Sequence, residues 1–208
     1  MVMSSLPPRE LYQALAVSLR SRLDFAERIL SMNETPAQIV EPVSLQGRKC
    51  LELIAYMMLA ATEHGFGKAN VPRDIRTQWN AETVFERLKK KSLDLIPSPQ
   101  RVSISADPGY ALVIEGVAAH RLNYDQLISL FRLFHAGLHE PNPYVQPDSA
   151  RHYADLLPKL REGIEQIKNL TWQHMIFIRG KAFICFLSDD HGRVGVTALD
   201  KIPVSGEK

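Results

Sequence analysis

Apolar residues recur at helical spacing along most of the chain. From Glu10 to Met32, Leu11, Leu15, Leu19, Leu23, Ala26 and Leu30 follow one another three or four positions apart, with Arg20, Asp24, Glu27 and Arg28 elsewhere around the cylinder. This predicts a long amphipathic helix opening near Pro8, since proline is tolerated in a first turn. The next segment, NETPAQIVEPVS, has two prolines and no period, and is expected to be loop. A second helix is expected from Ser44, a candidate N-cap, with Gly65 and Gly67 as stop signals. It is apolar on nearly every side from Leu51 to Ala61, which predicts a central position. Arg48 and Glu52 stand four apart on it and are expected to form a solvated surface pair.

After the irregular NVPRDIRTQ, a third helix is expected in WNAETVFERLKKKSLD, with Asn80 as cap and Trp79, Val84 and Leu88 as its apolar side. Lys89, Lys90 and Lys91 at its end complement the helix dipole. The period then changes to two. RVSISADPGYALVIEG reads as a hairpin at about 101–115, turning at Asp107-Pro108-Gly109, inserted over one end of the bundle. NYDQLISLFRLFHAGLH predicts a fourth helix. SARHYADLLPKLREGIEQIKNL predicts a fifth, with Leu156, Leu160, Ile164 and Ile167 inward and Pro158 as a kink or a first turn. TWQHMIFIRG, KAFICFLSDDHG and RVGVTALDKI predict three short strands with turns at Gly180 and Asp189–Gly192. Trp172, Phe177, Phe183 and Phe186 read there as packing.

The expected class is therefore α+β, mainly α: a bundle of four or five helices over residues 1–170 with the hairpin inserted, then a three-stranded antiparallel meander over 171–208, packed on the bundle as one unit. Hydrophobic residues make up 45% of the 208, enough for a real core. A net charge of +2 gives no general pull toward nucleic acid or an anionic membrane, so either partner would need a local patch. Cys50 and Cys185 each sit in an apolar run, which fits a reducing compartment better than a disulfide framework. The N-terminal residues do not read as a secretory signal, and the run Cys50–Ala61 is too short for a membrane span. A cytoplasmic protein with no membrane partner is expected. There is no P-loop, dinucleotide fingerprint, nucleophile elbow or zinc knuckle, and no cofactor is expected.

The candidate chemistry lies on the fourth helix. Leu127, Phe131, Phe134 and Leu138 form its buried stripe, and Arg132, His135 and His139 repeat that spacing one residue later. A helix turns about 100° per residue, so these three form a second stripe at the border of the first. Gly137, between the two histidines, leaves room for a close partner. Arginine grips phosphate with a planar fork, and histidine exchanges protons near neutral pH. Together they are sufficient for RNA cleavage without a metal. Two other readings stay open. His135 and His139 have the spacing of two metal ligands on a helix, with a third from Glu140, His120 or elsewhere, although HAGLH lacks the HExxH glutamate. Or all three are polar edge positions on a core helix.

Arg132, six residues, then His139 resembles the Arg-x(4–6)-His signature of HEPN-type domains. The resemblance covers the helices, roughly residues 9–170. It implies a small helical bundle of the kind found in bacterial toxin–antitoxin and phage-defence proteins, some of them metal-independent ribonucleases and others non-catalytic. It implies Arg132 and His139 as a catalytic pair, to which the stripe adds His135 as a third candidate catalytic residue, with RNA or a protein antitoxin as partner and a homodimer whose two motifs face one cleft. A non-catalytic protein–protein interaction module on the same bundle is the competing expectation.

Overall fold

The computed structural model describes residues 6–62, 73–104, 112–142, 144–146, 148–178, 181–189 and 191–199. Helix α1 spans Pro8–Leu30 and opens on its proline, as expected. Leu15, Leu19, Leu23, Ala26 and Leu30 are buried along it. Helix α2, Pro36–Thr62, begins eight residues earlier than Ser44. Residues 36–44 of the segment expected to be loop form its first turns, and only 33–35 stay outside a helix. Thr35 supplies the cap: its carbonyl accepts from the amides of Gln38 and Ile39, and the Gln38 side chain accepts from the Thr35 amide and hydroxyl. Pro36 occupies the first helical position. Pro42 lies within the helix and removes one backbone hydrogen bond, yet Ile39, Val40 and Val43 around it are buried to 4% exposure or less. Burial outweighs the local penalty of the proline here. Gly65 and Gly67 lie outside the described residues.

A one-turn helix α3, Arg73–Arg76, falls in the segment read as irregular. Helix α4, Ala81–Lys90, is capped by Asn80, whose side chain accepts from the amides of Glu82 and Thr83. Ala81, Val84, Phe85 and Leu88 are its buried side. Trp79 departs from expectation: it precedes the cap, outside the helical period, and is 68% exposed. Helix α5 spans Tyr124–Ala136 and α6 spans Ser149–Thr171. Pro158 is not a first turn: Asp148 caps α6, and the proline takes an exposed position within the helix. Leu156, Leu160, Ile164 and Ile167 point inward as the period requires. Helix α2 is central: α1, α4, α5 and α6 all pack against it.

The expected hairpin and meander are both present and share one sheet. Strands β1 (Ser98–Ile104), β2 (Leu112–Gly116), β3 (Gln173–Ile178), β4 (Lys181–Phe186) and β5 (Gly195–Ala198) run in the order β2-β1-β3-β4-β5, with every neighbour antiparallel. The joint is short, with Ser98 opposite Met175 and Pro99 opposite His174. The hairpin is thus the edge of a five-stranded sheet rather than a separate flap. No local period reports a pairing between segments this far apart. The hairpin turn at 107–109 and the Gly180 turn lie outside the described residues. At the next turn, Asp189 accepts through one carboxylate oxygen from the amides of His191 and Arg193, while Arg193 pairs with the other. Its carboxyl is held below the usual range chiefly by the Arg193 amide. The aspartate closes the turn, as its sequence predicts.

Side chains of α1 grip the end of this sheet. Arg9 donates twice to the carbonyl of Val196, Gln13 donates to that of Val194, and Arg20 to that of Leu187. Beneath them, His174 is fully buried. Its Nδ1 lies 2.7 Å from the Thr171 carbonyl and its Nε2 lies 2.7 Å from the Tyr12 hydroxyl. A carbonyl only accepts, so Nδ1 carries the proton and Nε2 accepts from Tyr12. Burial pushes the His174 pKa down to about 4, against the smaller opposing pull of the Thr171 carbonyl, and raises that of Tyr12 well above its ordinary value. Burial also pushes the free thiols of Cys50 and Cys185 up to about 12, so both stay protonated and serve as packing. Among the described residues no helix is long and apolar enough to cross a membrane.

Two outcomes are expected from this joint. Tyr12→Phe leaves a buried imidazole nitrogen without a donor and should lower stability by ~1–3 kcal/mol in urea unfolding. His174 is neutral in the folded state down to about pH 4, whereas the unfolded chain takes up its proton near pH 6.5. The unfolded state therefore binds more protons between these values, and stability falls as pH drops through that window. The loss from this group should total about 3 kcal/mol near pH 4, and His174→Gln should lack it when the two proteins are unfolded side by side.

A histidine pair and an arginine on the edge of the bundle

Helix α5 starts on a reciprocal cap. Asn123 accepts from the Gln126 amide, and the Gln126 side chain accepts from the Asn123 amide. Leu127, Ile128, Leu130, Phe131 and Phe134 are its buried face. The helix stops at Ala136, short of His139, and continues as a tight turn in which the amides of Leu138 and His139 bond to the carbonyls of His135 and Ala136. The room predicted at Gly137 is filled by the protein itself: a Cβ there would collide with the Ser44 side chain of α2. Phe134 is held in the same way, since a Cβ at Gly47 would enter its ring and one at Gly163 would come within 2.9 Å. Three glycines on three elements thus let α5 approach α2 and α6 at backbone distance.

This approach decides which side chains meet. Arg132, His135 and His139 are all exposed, as their stripe predicts. Arg132 turns to α4, with its Nε 2.6 Å from Glu82 and its Nη2 3.6 Å from Glu86. Among the described residues it makes no hydrogen bond to either histidine. The histidines do meet each other: their Nε2 atoms are 3.3 Å apart, and the rings stand edge-to-face at 84° with centroids separated by 4.7 Å. The His135 ring also stacks on Phe131, 10° from parallel.

The arginine beside the pair comes from α2. Arg48 Nη1 lies 3.4 Å from His135 Nδ1, and its guanidinium carbon lies 5.3 Å from the centre of the Phe131 ring. The expected solvated pair of Arg48 with Glu52 is a half-buried one. The Glu52 side chain is 9% exposed, bonded to Lys49 at 2.6 Å and 3.4 Å from Arg48 Nε. That last contact is electrostatic only, because Arg48 Nε has no hydrogen bond. The signal that could have singled out Arg48 is its place four residues before a carboxylate, at the mouth of an otherwise apolar run. Following His139, Glu140 accepts from the Tyr153 hydroxyl at 2.8 Å, which ties this segment to α6 and raises the Tyr153 pKa. Asn142 then folds the chain back, its oxygens accepting from the amides of Tyr144, Val145 and Gln146. Tyr144 stands 96% exposed on that turn.

Comparison with models of protein families, with characterised proteins and with solved structures finds no match. The chemistry must therefore be read from the residues. Among the described residues, no third His, Cys, Asp or Glu joins His135 and His139 in a group able to hold a metal ion. The neighbour they do have, Arg48, is a permanent cation. It repels a metal and attracts an anion. Of the aromatic residues read as packing, Phe183 is buried, and the Trp172 ring is covered by Arg20 at 4.6 Å and Lys168 at 5.0 Å.

Ser44 and Gly137 test the close approach. The Ser44 hydroxyl is buried without a hydrogen-bond partner. Ser44→Ala should therefore be neutral or stabilise by up to ~1 kcal/mol, whereas Gly137→Ala should destabilise by about 1–3 kcal/mol through overpacking. Thermal unfolding of the two variants beside the parent protein separates these signs.

Proposed function

We propose that this chain is a HEPN-like, metal-independent endoribonuclease acting through His139, His135 and Arg48. The observation that carries the reading is a chain of contacts at the edge of the bundle, in which His135 touches Arg48 through one ring nitrogen and His139 through the other. The guanidinium neutralises the phosphate as negative charge builds on it. The imidazole pair takes the proton from a ribose 2′-hydroxyl and returns it to the departing 5′-oxygen, leaving a 2′,3′-cyclic phosphate and a 5′-hydroxyl. Arg132, the arginine of the HEPN signature, is paired with Glu82 and Glu86 of α4; in this reading Arg48 takes the phosphate-binding part that the signature gives to Arg132, and the resemblance rests on the helical bundle and His139. A cytoplasmic defence or toxin–antitoxin role follows from the same resemblance, with a protein antitoxin as partner and a homodimer that brings two such edges together. The second reading, a non-catalytic interaction module, draws support from the exposed Tyr144 and Val145 on the turn after α5, at 96% and 75%.

Induced expression in bacteria, followed by growth and by the integrity of total RNA, tests the enzyme. The wild type should arrest growth. His139→Ala and Arg48→Gln should not, because loss of an acid–base group costs about 10²–10⁴ in rate, and Arg132→Ala should still arrest it. Each variant is first shown to be folded and equally abundant. Growth that is alike in all four, with intact RNA and no cleavage by purified protein in chelator, favours the interaction module. Relief by Arg132→Ala but not by Arg48→Gln returns the arginine's role to the signature position.

A further inference from the structure

The proton positions in the cluster are constrained by its geometry. An arginine donates and never accepts, so the His135 Nδ1 that faces Arg48 Nη1 at 3.4 Å presents a lone pair. His135 then carries its proton on Nε2, pointing at His139 Nε2 3.3 Å away, and the second histidine accepts it. The space between the two Nε2 atoms holds one proton. A second proton on His135 has one place to go, Nδ1, and Arg48 stands in front of it.

We infer that an oxyanion of the phosphate class binds at Arg48 together with uptake of one proton by His135. The anion replaces the imidazole as acceptor for the guanidinium. A proton from solvent then occupies His135 Nδ1, so that guanidinium and imidazolium hold the anion between them, while Nε2–H stays on His139. The surrounding charges permit this. On α2, the Glu52 carboxylate is shared: one oxygen bonds Lys49 and the other lies 3.4 Å from Arg48 Nε, on a different nitrogen from the Nη1 that faces His135. On α5, Arg132 is neutralised by Glu82 and Glu86 of α4. Beyond α5, Glu140 is engaged by Tyr153 of α6. The Phe131 ring lies nearly parallel to that of His135, with centroids 6.4 Å apart, and adds no charge to the cluster. The inference rests on the ribonuclease reading only for the anion's source, an RNA phosphodiester; the coupling to a proton stands on the contacts alone.

The test is calorimetric titration of the full chain with sulfate, which stays a dianion throughout, from pH 8 to pH 6 at constant ionic strength. Buffers of different ionisation enthalpy count the protons. Binding should tighten toward low pH, by up to about tenfold per pH unit, with close to one proton taken up per anion. His135→Gln should bind weakly with no proton uptake, and Arg48→Gln should not bind. Absence of sulfate binding, binding without proton uptake, or an unchanged pH slope in His135→Gln would each overturn the inference. A 2′-O-methyl RNA oligonucleotide, which cannot be cleaved through its blocked hydroxyl, forms the second arm. Its binding with the same proton count identifies the phosphodiester as the anion. Sulfate binding without oligonucleotide binding assigns the cluster to a small oxyanion, which overturns the ribonuclease reading and leaves the proton coupling standing.

Discussion

The close approach of α5 to α2 is the constraint on which the rest depends. Phe134 sits where Cβ atoms on Gly47 and Gly163 would be, and Gly137 lies flat on Ser44. Interiors are packed like organic crystals, so the absence of a Cβ at these points sets the separation and rotation of the helices to within a fraction of an ångström. Had α5 stood one side-chain layer further off, Arg48 would not reach His135, and the edge of the bundle would carry isolated polar residues. The buried Ser44 hydroxyl, left without a partner, is a local cost of the same packing.

Two histidine environments show how burial assigns different work to one residue type. His174 lies buried in the joint between α1, α6 and the sheet, with both nitrogens bonded within the fold. Its proton is locked in place, and it acts as a strut. His135 and His139 are open to solvent and in contact with each other, and His135 also faces the Arg48 guanidinium. The first arrangement lends stability to the fold and spends it in acid.

Charge placement follows the same division. Arg9, Arg20 and Arg161 donate to backbone carbonyls of Val196, Leu187 and Leu30, so three arginines serve as clamps between elements. Arg132 serves as another through carboxylates. Arg48 differs because it shares its nearest carboxylate, Glu52, with Lys49, and its own Nε is left without a hydrogen bond. A guanidinium half-satisfied by its surroundings and facing an imidazole is poised for an incoming acceptor.

Local periodicity determined much of this protein by itself. The apolar stripes of α1, α4, α5 and α6, the Asn80 cap, the alternation of the strands and the exposure of Arg132, His135 and His139 follow from spacings of three, four and two, which any isolated segment carries. What failed at the local level failed where distant contacts outweigh propensity. Pro36 and Pro42 became helix because Ile39, Val40 and Val43 are buried by the rest of the chain, and Trp79 was left outside because the cap falls after it. The joining of the hairpin to the meander, the turn of Arg132 toward α4 and the arrival of Arg48 beside His135 were decided by tertiary structure alone. Each is a meeting of segments far apart in the chain, and such meetings are set by which surfaces pack together, a quantity that no run of neighbouring residues contains.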